Sequence, residues 1–135
     1  MNLRPRAWSG RGSADSESHA GKAQIIIAMT SQCPFCIHSL PLYQEISSSI
    51  ASTGGTSDLV VASLTPDIDG VKSLLDSHGI KAAKIVQAKA ADLEVTGTPT
   101  VYLLDRSGIV RWAYLGEMTR TKEKELLAAL AKLNL

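Results

Sequence analysis

Cys33 and Cys36 constrain this chain more than any other feature. They are its only cysteines in 135 residues, and they stand three apart in Cys33-Pro34-Phe35-Cys36. The apolar run before them, Gln24-Ile25-Ile26-Ile27-Ala28-Met29, reads as a strand buried on both faces, because it is continuous rather than alternating. Far downstream, Thr98-Pro99-Thr100 opens a second strand-like run, Thr100-Val101-Tyr102-Leu103-Leu104. Either piece alone is weak. A strand feeding Cys-x-x-Cys at the head of a helix, with a proline-initiated strand to come, narrows the fold to an α/β domain with a redox dithiol.

The remaining composition excludes several classes. A chain of 135 residues, 44% hydrophobic, fits one domain with its own core. Its net charge is +1 with the signs interspersed, which argues against nucleic acid as a partner. No apolar run approaches 18 residues, so no membrane span is expected. Two cysteines are too few for a disulfide-stapled scaffold or a cysteine-rich zinc module. Residues 1–22 carry Arg4, Arg6, Arg11 and Trp8 among Ser and Gly, without the apolar stretch of a secretory signal. They are expected to be a disordered or truncated N-terminal segment ahead of a folded domain at 23–135.

Along that domain the pattern alternates. Ala23–Thr30 is the first predicted strand. A helix is expected over Cys33–Ser52, with Ile37, Leu40, Tyr43, Ile46 and Ile50 on one face, Pro34 at its first position, and a kink at Pro41. The loop Thr53–Ser57 follows, then a strand over Leu59–Leu64 and a helix over Ile68–Ser77, stopped by His78-Gly79. Ile85-Val86 reads as a short strand and Lys89–Val95 as one or two helical turns. Strands over Thr100–Leu104 and Ile109–Leu115 flank the hairpin turn Asp105–Gly108, and Thr121–Leu133 closes the chain as an amphipathic helix. A parallel crossover ahead of an antiparallel hairpin implies a central mixed β-sheet flanked by helices.

The chemistry follows from position. A thiolate, not a thiol, attacks a disulfide, and an ordinary cysteine is mostly protonated at neutral pH. At a helix N-terminus, free backbone N–H groups stabilise the anion. Cys33 stands there and is the expected nucleophile. Cys36, nearly one turn on and deeper, is placed to attack the mixed disulfide and release the product. Pro34 stiffens the intervening dipeptide and Phe35 offers an apolar surface to a substrate. A cis Thr98-Pro99 bond would turn the Thr98 backbone outward to pair with an extended substrate peptide.

The bland readings are different. The cysteines could be two small buried hydrophobes, and Pro99 an ordinary trans proline starting a strand. His38 is near Cys36 in sequence but points away from Cys33, so it reads as a solvated helix residue rather than a zinc ligand. His78 reads as a helix-end residue near the last carbonyls. Trp112 and Tyr114 alternate on one strand and are expected to pack. No metal and no cofactor is expected, since the dithiol itself carries two electrons.

Thr30-Ser31-Gln32-Cys33-Pro34-Phe35-Cys36 with Leu40-Pro41, and Val95 to Gly108 with its Gly-x-Pro-Thr strand and Asp-x-x-Gly turn, resemble the thioredoxin-like superfamily. The closest likeness is to the TlpA/ResA-like branch with its redoxin and AhpC/TSA relatives. The likeness spans roughly residues 23 to 133. It implies a thioredoxin fold with an extra helix inserted before the Thr98-Pro99 strand, and thiol–disulfide exchange, usually in an extracytoplasmic or bacterial periplasmic setting.

The same likeness implies Cys33 and Cys36 as catalytic residues and Thr98, Pro99, Pro34 and Phe35 against the substrate. The implied partners are protein thiol/disulfide substrates and a redox partner protein, met by a monomer. There are three departures from the pattern. Ser39 stands where that branch has Glu. Ile27 and Ser63 stand where thioredoxins carry a buried Asp and a Lys. Met29 and Gln32 replace aromatics before the first cysteine. The acidic group that moves the second thiol's proton is therefore missing, and water or an unrecognised residue has to serve. Thr30-x-x-Cys33 also echoes the peroxiredoxin motif, so a thiol peroxidase remains an alternative, as does a non-catalytic thioredoxin-fold binding module.

Overall fold

The computed structural model describes residues 22–52 and 57–133. The expectations for residues 1–21 and the loop at 53–56 lie outside the described residues. Five strands form one mixed sheet: β1 (Ala23–Met29), β2 (Ser57–Ser63), β3 (Lys84–Gln87), β4 (Thr100–Leu104) and β5 (Val110–Leu115), in the order β3-β2-β1-β4-β5. β1 pairs with β2 in parallel, Ile27 opposite Val61, and with β4 antiparallel, Ile27 opposite Val101. The strand that feeds the cysteines is therefore the central one. Alternate residues of β1 supply two cores. Ile25, Ile27 and Met29 face one side with Leu59, Val61, Val101 and Leu103; Ile26 and Ala28 face the other with Val60, Ala62, Tyr102 and Leu104. A strand buried on both faces explains its unbroken apolar sequence.

Four helices flank the sheet: α1 (Pro34–His38), α2 (Leu40–Ser52), α3 (Ile68–Ser77) and α4 (Arg120–Leu133). All send buried side chains to the first core: Cys36; Leu40, Leu42, Tyr43 and Ile46; Val71 and Leu75; Leu126, Ala129 and Leu130. α3 lies in the stretch between β2 and the Thr98-Pro99 strand, where the extra helix is expected.

Two expectations need correction. The helix over Cys33–Ser52 is not one kinked helix but two, interrupted at Ser39. Pro41 has no N–H to give the Ile37 carbonyl and its ring crowds that carbonyl. Ser39 takes up the break: its N–H is shared between the Phe35 and Cys36 carbonyls, both at 3.1 Å, and its carbonyl accepts from Tyr43 N–H. The reorientation leaves Ile37 42% exposed rather than on the buried stripe.

The second correction concerns Lys89–Val95, which is a turn rather than a helix. Leu93 and Val95, two apart, are both buried against the second core, a spacing that one helical face cannot present. Glu94 adopts φ 58, and Val95 N–H reaches back to the Ala90 carbonyl at 2.9 Å, closing the turn in the manner of a helix C-terminus. The Tyr102 hydroxyl, donating to the Leu93 carbonyl at 2.9 Å, ties it to β4. No helix among the described residues is long and apolar enough to cross a membrane.

Candidate functional site

The chain leaves β1 at its carboxyl end and turns through Thr30-Ser31-Gln32 to Cys33. The loop after β2 arrives at the same end of the sheet, where open α/β sheets bind ligands. Cys33 is the N-cap of α1, in extended conformation (φ −88, ψ 116), with Pro34 at the first helical position. Its sulfur fills the place that a serine or aspartate oxygen takes in other caps, accepting from the Cys36 N–H at 3.3 Å. α1 has only five residues. Its macrodipole is correspondingly small, so individual N–H donors carry the stabilisation of a thiolate here.

Thr98 supplies the other side. The Thr98-Pro99 bond is cis. The Thr98 hydroxyl lies 3.3 Å from the Cys33 sulfur as a donor, and the Thr98 carbonyl lies 3.7 Å from it as an acceptor for the neutral thiol. The loop is held on both flanks: Thr100 Oγ1 donates to the Gly97 carbonyl at 2.6 Å, and Gly116 N–H donates to the Pro99 carbonyl at 2.7 Å. Residues 65 positions apart in sequence thus share one sulfur.

The two thiols are free and unlike one another. Partial burial works against a Cys33 anion, but donors from Cys36, Thr98 and the Cys36 and Phe35 backbone outweigh it and hold its pKa below the ordinary thiol value. Cys36 is fully buried. Burial above all, then its hydrogen bond to Cys33 and the Cys33 charge, push its pKa up to about 12. One sulfur is poised to ionise beside solvent, and the other keeps its proton inside.

Around them, Pro34 is exposed and Phe35 is 55% exposed. Leu115, 62% exposed, reaches the same loop, since a side chain on Gly97 would touch its Cδ1. Leu115 was not singled out by sequence reasoning, which saw only a strand-end residue; its one signal is the alternation that pairs it with Ala113 rather than with the packed Trp112 and Tyr114. A cleft of about 550 Å³ opens between the loop that leads to Cys33 and the loop after β2, lined by Thr30, Ser31, Gln32, Thr65, Pro66 and Asp67. Asp67 caps α3 through Gly70 N–H at 3.0 Å and accepts from the Ser31 hydroxyl, joining the two loops. His38 is exposed, 3.5 Å from Glu117, and His78 Nδ1 lies 3.0 Å from the Leu74 carbonyl. Both sit as the bland readings expected. Among the described residues no three His, Cys, Asp or Glu side chains gather as a metal site.

No family model matches this sequence, and no curated protein matches it. Solved structures do. A Chlorobium tepidum protein named as a thiol:disulfide interchange protein, DsbE, superposes with TM-score 0.74 over 88% of this chain and 84% of its own, at 16% identity. A thiol-disulfide isomerase from Corynebacterium glutamicum matches 96% of this chain and 94% of its own, with TM-score 0.67 and 22% identity. A second thiol:disulfide interchange protein, of the thioredoxin family, from Chlorobium tepidum gives 0.66 over 85% and 84% at 23% identity. Matches of this extent to thiol:disulfide interchange proteins show that the chain has a thioredoxin fold.

Proposed function

We propose that the chain is a thiol–disulfide oxidoreductase acting on protein disulfides, with Cys33 as nucleophile and Cys36 as resolving thiol. The observation that carries this reading is the asymmetry of the two sulfurs. Cys33 is partly exposed, with hydrogen-bond donors that hold its pKa below that of an ordinary thiol; Cys36 is buried one turn away with a raised pKa. The Cys33 thiolate attacks a substrate disulfide, forming a mixed disulfide and expelling one substrate thiolate. Cys36 then attacks the Cys33 sulfur, forming Cys33–Cys36 and releasing the second substrate thiolate, which takes up a proton. Two electrons pass from the dithiol to the substrate, and a redox partner protein returns them. Thr98, Pro34 and Phe35 flank the reacting sulfur and serve as the substrate-facing surface, extended by Leu115, whereas Pro99, expected there from the sequence, is itself buried. The names of the similar solved structures support this reading, as do the motifs shared with the TlpA/ResA-like branch.

The direct test is reduction of a model protein disulfide such as insulin. The reduced protein is expected to lose two thiols per substrate disulfide broken. A protein whose thiols stay inert toward insulin at neutral pH is a binding module instead, and rapid peroxide consumption with sulfenic acid at Cys33 would mark a peroxidase.

Thr98 offers a graded test. Thr98→Val removes the hydroxyl donor to the Cys33 sulfur and keeps the volume. A hydrogen bond to a charged group is strong, so the Cys33 pKa should rise by about one unit. The thiolate is then less favoured, the reduced state loses stability, and the reduction potential should fall by up to about 30 mV. Redox equilibration against glutathione measures it; an unchanged potential would remove Thr98 from the site.

A further inference from the structure

A second cavity, of about 210 Å³, lies between the end of the 89–95 turn and the edge strand β5, with Glu94, Thr96, Tyr102, Val110, Ala113 and Leu115 among its walls. Ala113 stands opposite Tyr102 and Leu115 opposite Thr100, so these side chains share the face of the sheet that carries the second core. Small-molecule sites run to about 300–1,000 Å³. This one is the size of a single side chain.

Its walls divide into two kinds. Val110, Ala113, Leu115 and the Tyr102 ring are apolar, and Ala113 and Leu115 are exposed. At the other end stands Glu94, exposed, with the one carboxylate of the cavity. No lysine or arginine lines it. Arg111, the cation of β5, is engaged by Asp105 at 2.7 Å.

The Glu94 backbone adds an independent observation. Its φ of 58 is a conformation that glycine adopts freely and other residues adopt at a cost. The fold pins it there: Leu93 and Val95 on either side are buried, and the Tyr102 hydroxyl donates to the Leu93 carbonyl at 2.9 Å and to the Glu94 carbonyl at 3.3 Å. A glutamate persisting where glycine would sit without strain points to a use for its side chain. The cavity is also continuous with the reacting loop. A side chain on Gly97 would touch Leu115 at 3.4 Å, and Thr100 Oγ1 holds the Gly97 carbonyl, one residue before Thr98.

We propose that this cavity receives one lysine or arginine side chain of the protein substrate, a few residues from the disulfide that meets Cys33. Its methylene stem lies along Ala113, Leu115 and the Tyr102 ring, and its cationic head meets Glu94. The inference rests on the exchange reading above and names its substrate class: disulfides with a basic residue nearby are favoured, and those with an acidic residue there are rejected.

The experiment follows reduction of short peptide disulfides in which Lys, Gln or Glu stands one to four residues before or after the cysteine, with dithiothreitol supplying each peptide's intrinsic reactivity. Relative to dithiothreitol, the Lys peptide is expected to react about fivefold faster than its Glu counterpart at one of these positions, and the gap should close as salt rises to about 0.5 M. Glu94→Gln should bring the ratio to within about twofold of the intrinsic one. Glu94→Gly removes the same charge and relieves the backbone, so it should lose the preference while melting no lower than the unaltered protein. A role confined to holding the turn predicts the opposite, a lower melt with the preference kept. A Lys-to-Glu ratio unchanged by Glu94→Gln at every position would overturn the assignment and leave the exchange reading standing. Peptide disulfides that neither protein reduces would overturn both. Should Glu94→Gln not fold, a preference indifferent to salt and to Glu94→Gly overturns the assignment instead.

Discussion

Cys36→Ser should accumulate substrate proteins as mixed disulfides on Cys33, approaching one adduct per protein, whereas Cys33→Ser should capture nothing. The difference follows from the local structure. Cys33 draws its donors from the Cys36 thiol, from Thr98 and from the Cys36 and Phe35 backbone; when the Cys36 sulfur is replaced by oxygen a hydroxyl donor takes the thiol's place and the others remain. Attack therefore proceeds, but a serine cannot displace the trapped substrate. With Cys33 gone, the remaining thiol is still wholly buried, and burial, the largest cause of its raised pKa, keeps it protonated and out of a substrate's reach at pH 7. The exchange rate should fall by on the order of a thousandfold or more. Non-reducing gels and mass spectrometry of captured proteins report both outcomes. Adducts persisting after loss of Cys33 would reverse the roles of the two cysteines.

Ile27→Asp, which would introduce the buried acid that the resemblance to thioredoxins leads one to expect at this position, should be strongly destabilising. Ile27 is on the central strand, wholly buried, between Val61 and Val101, in the core that holds Cys36. Opposite Met29 on β2 stands Ser63, which offers no positive charge, and its hydroxyl is already committed to the Thr65 carbonyl. An unpaired carboxylate there should cost about 3–5 kcal/mol and lower the Tm by roughly 10–20 °C at pH 7. Because burial raises the pKa of the introduced acid, its neutral form is the one the fold tolerates. The loss is then full above the raised pKa and should be largely recovered as the pH falls toward about 4. Thermal melts at the two pH values check this. A Tm indifferent to the change would mean that water reaches the space beneath Cys36, and the raised pKa of that thiol would lose its cause.

The parts of the fold legible in the sequence were those with an unbroken local pattern. The apolar run of β1, helix α3 with its stop at His78-Gly79, the Asp105 hairpin and the stripe of α4 through Leu126 and Leu130 all appear where the local pattern puts them. The cis Thr98-Pro99 bond and the placement of Cys33 at a helix head also follow the motif pair. What escaped depends on partners distant in sequence. The break at Ser39 is settled by where the Phe35 and Cys36 carbonyls find a donor, and the turn at 89–95 by the need to bury Leu93 and Val95 together. The Ser31–Asp67 link joins two loops that no local pattern relates.

Alkylation of the reduced protein by iodoacetamide across pH, with each cysteine followed separately by mass spectrometry, bears most directly on the asymmetry of the two sulfurs. Cys33 should react with a midpoint clearly below the ordinary thiol value of about 8.5, while Cys36 stays unmodified throughout the neutral range. A Cys33 midpoint at or above that value, or Cys36 reacting first, would contradict the account.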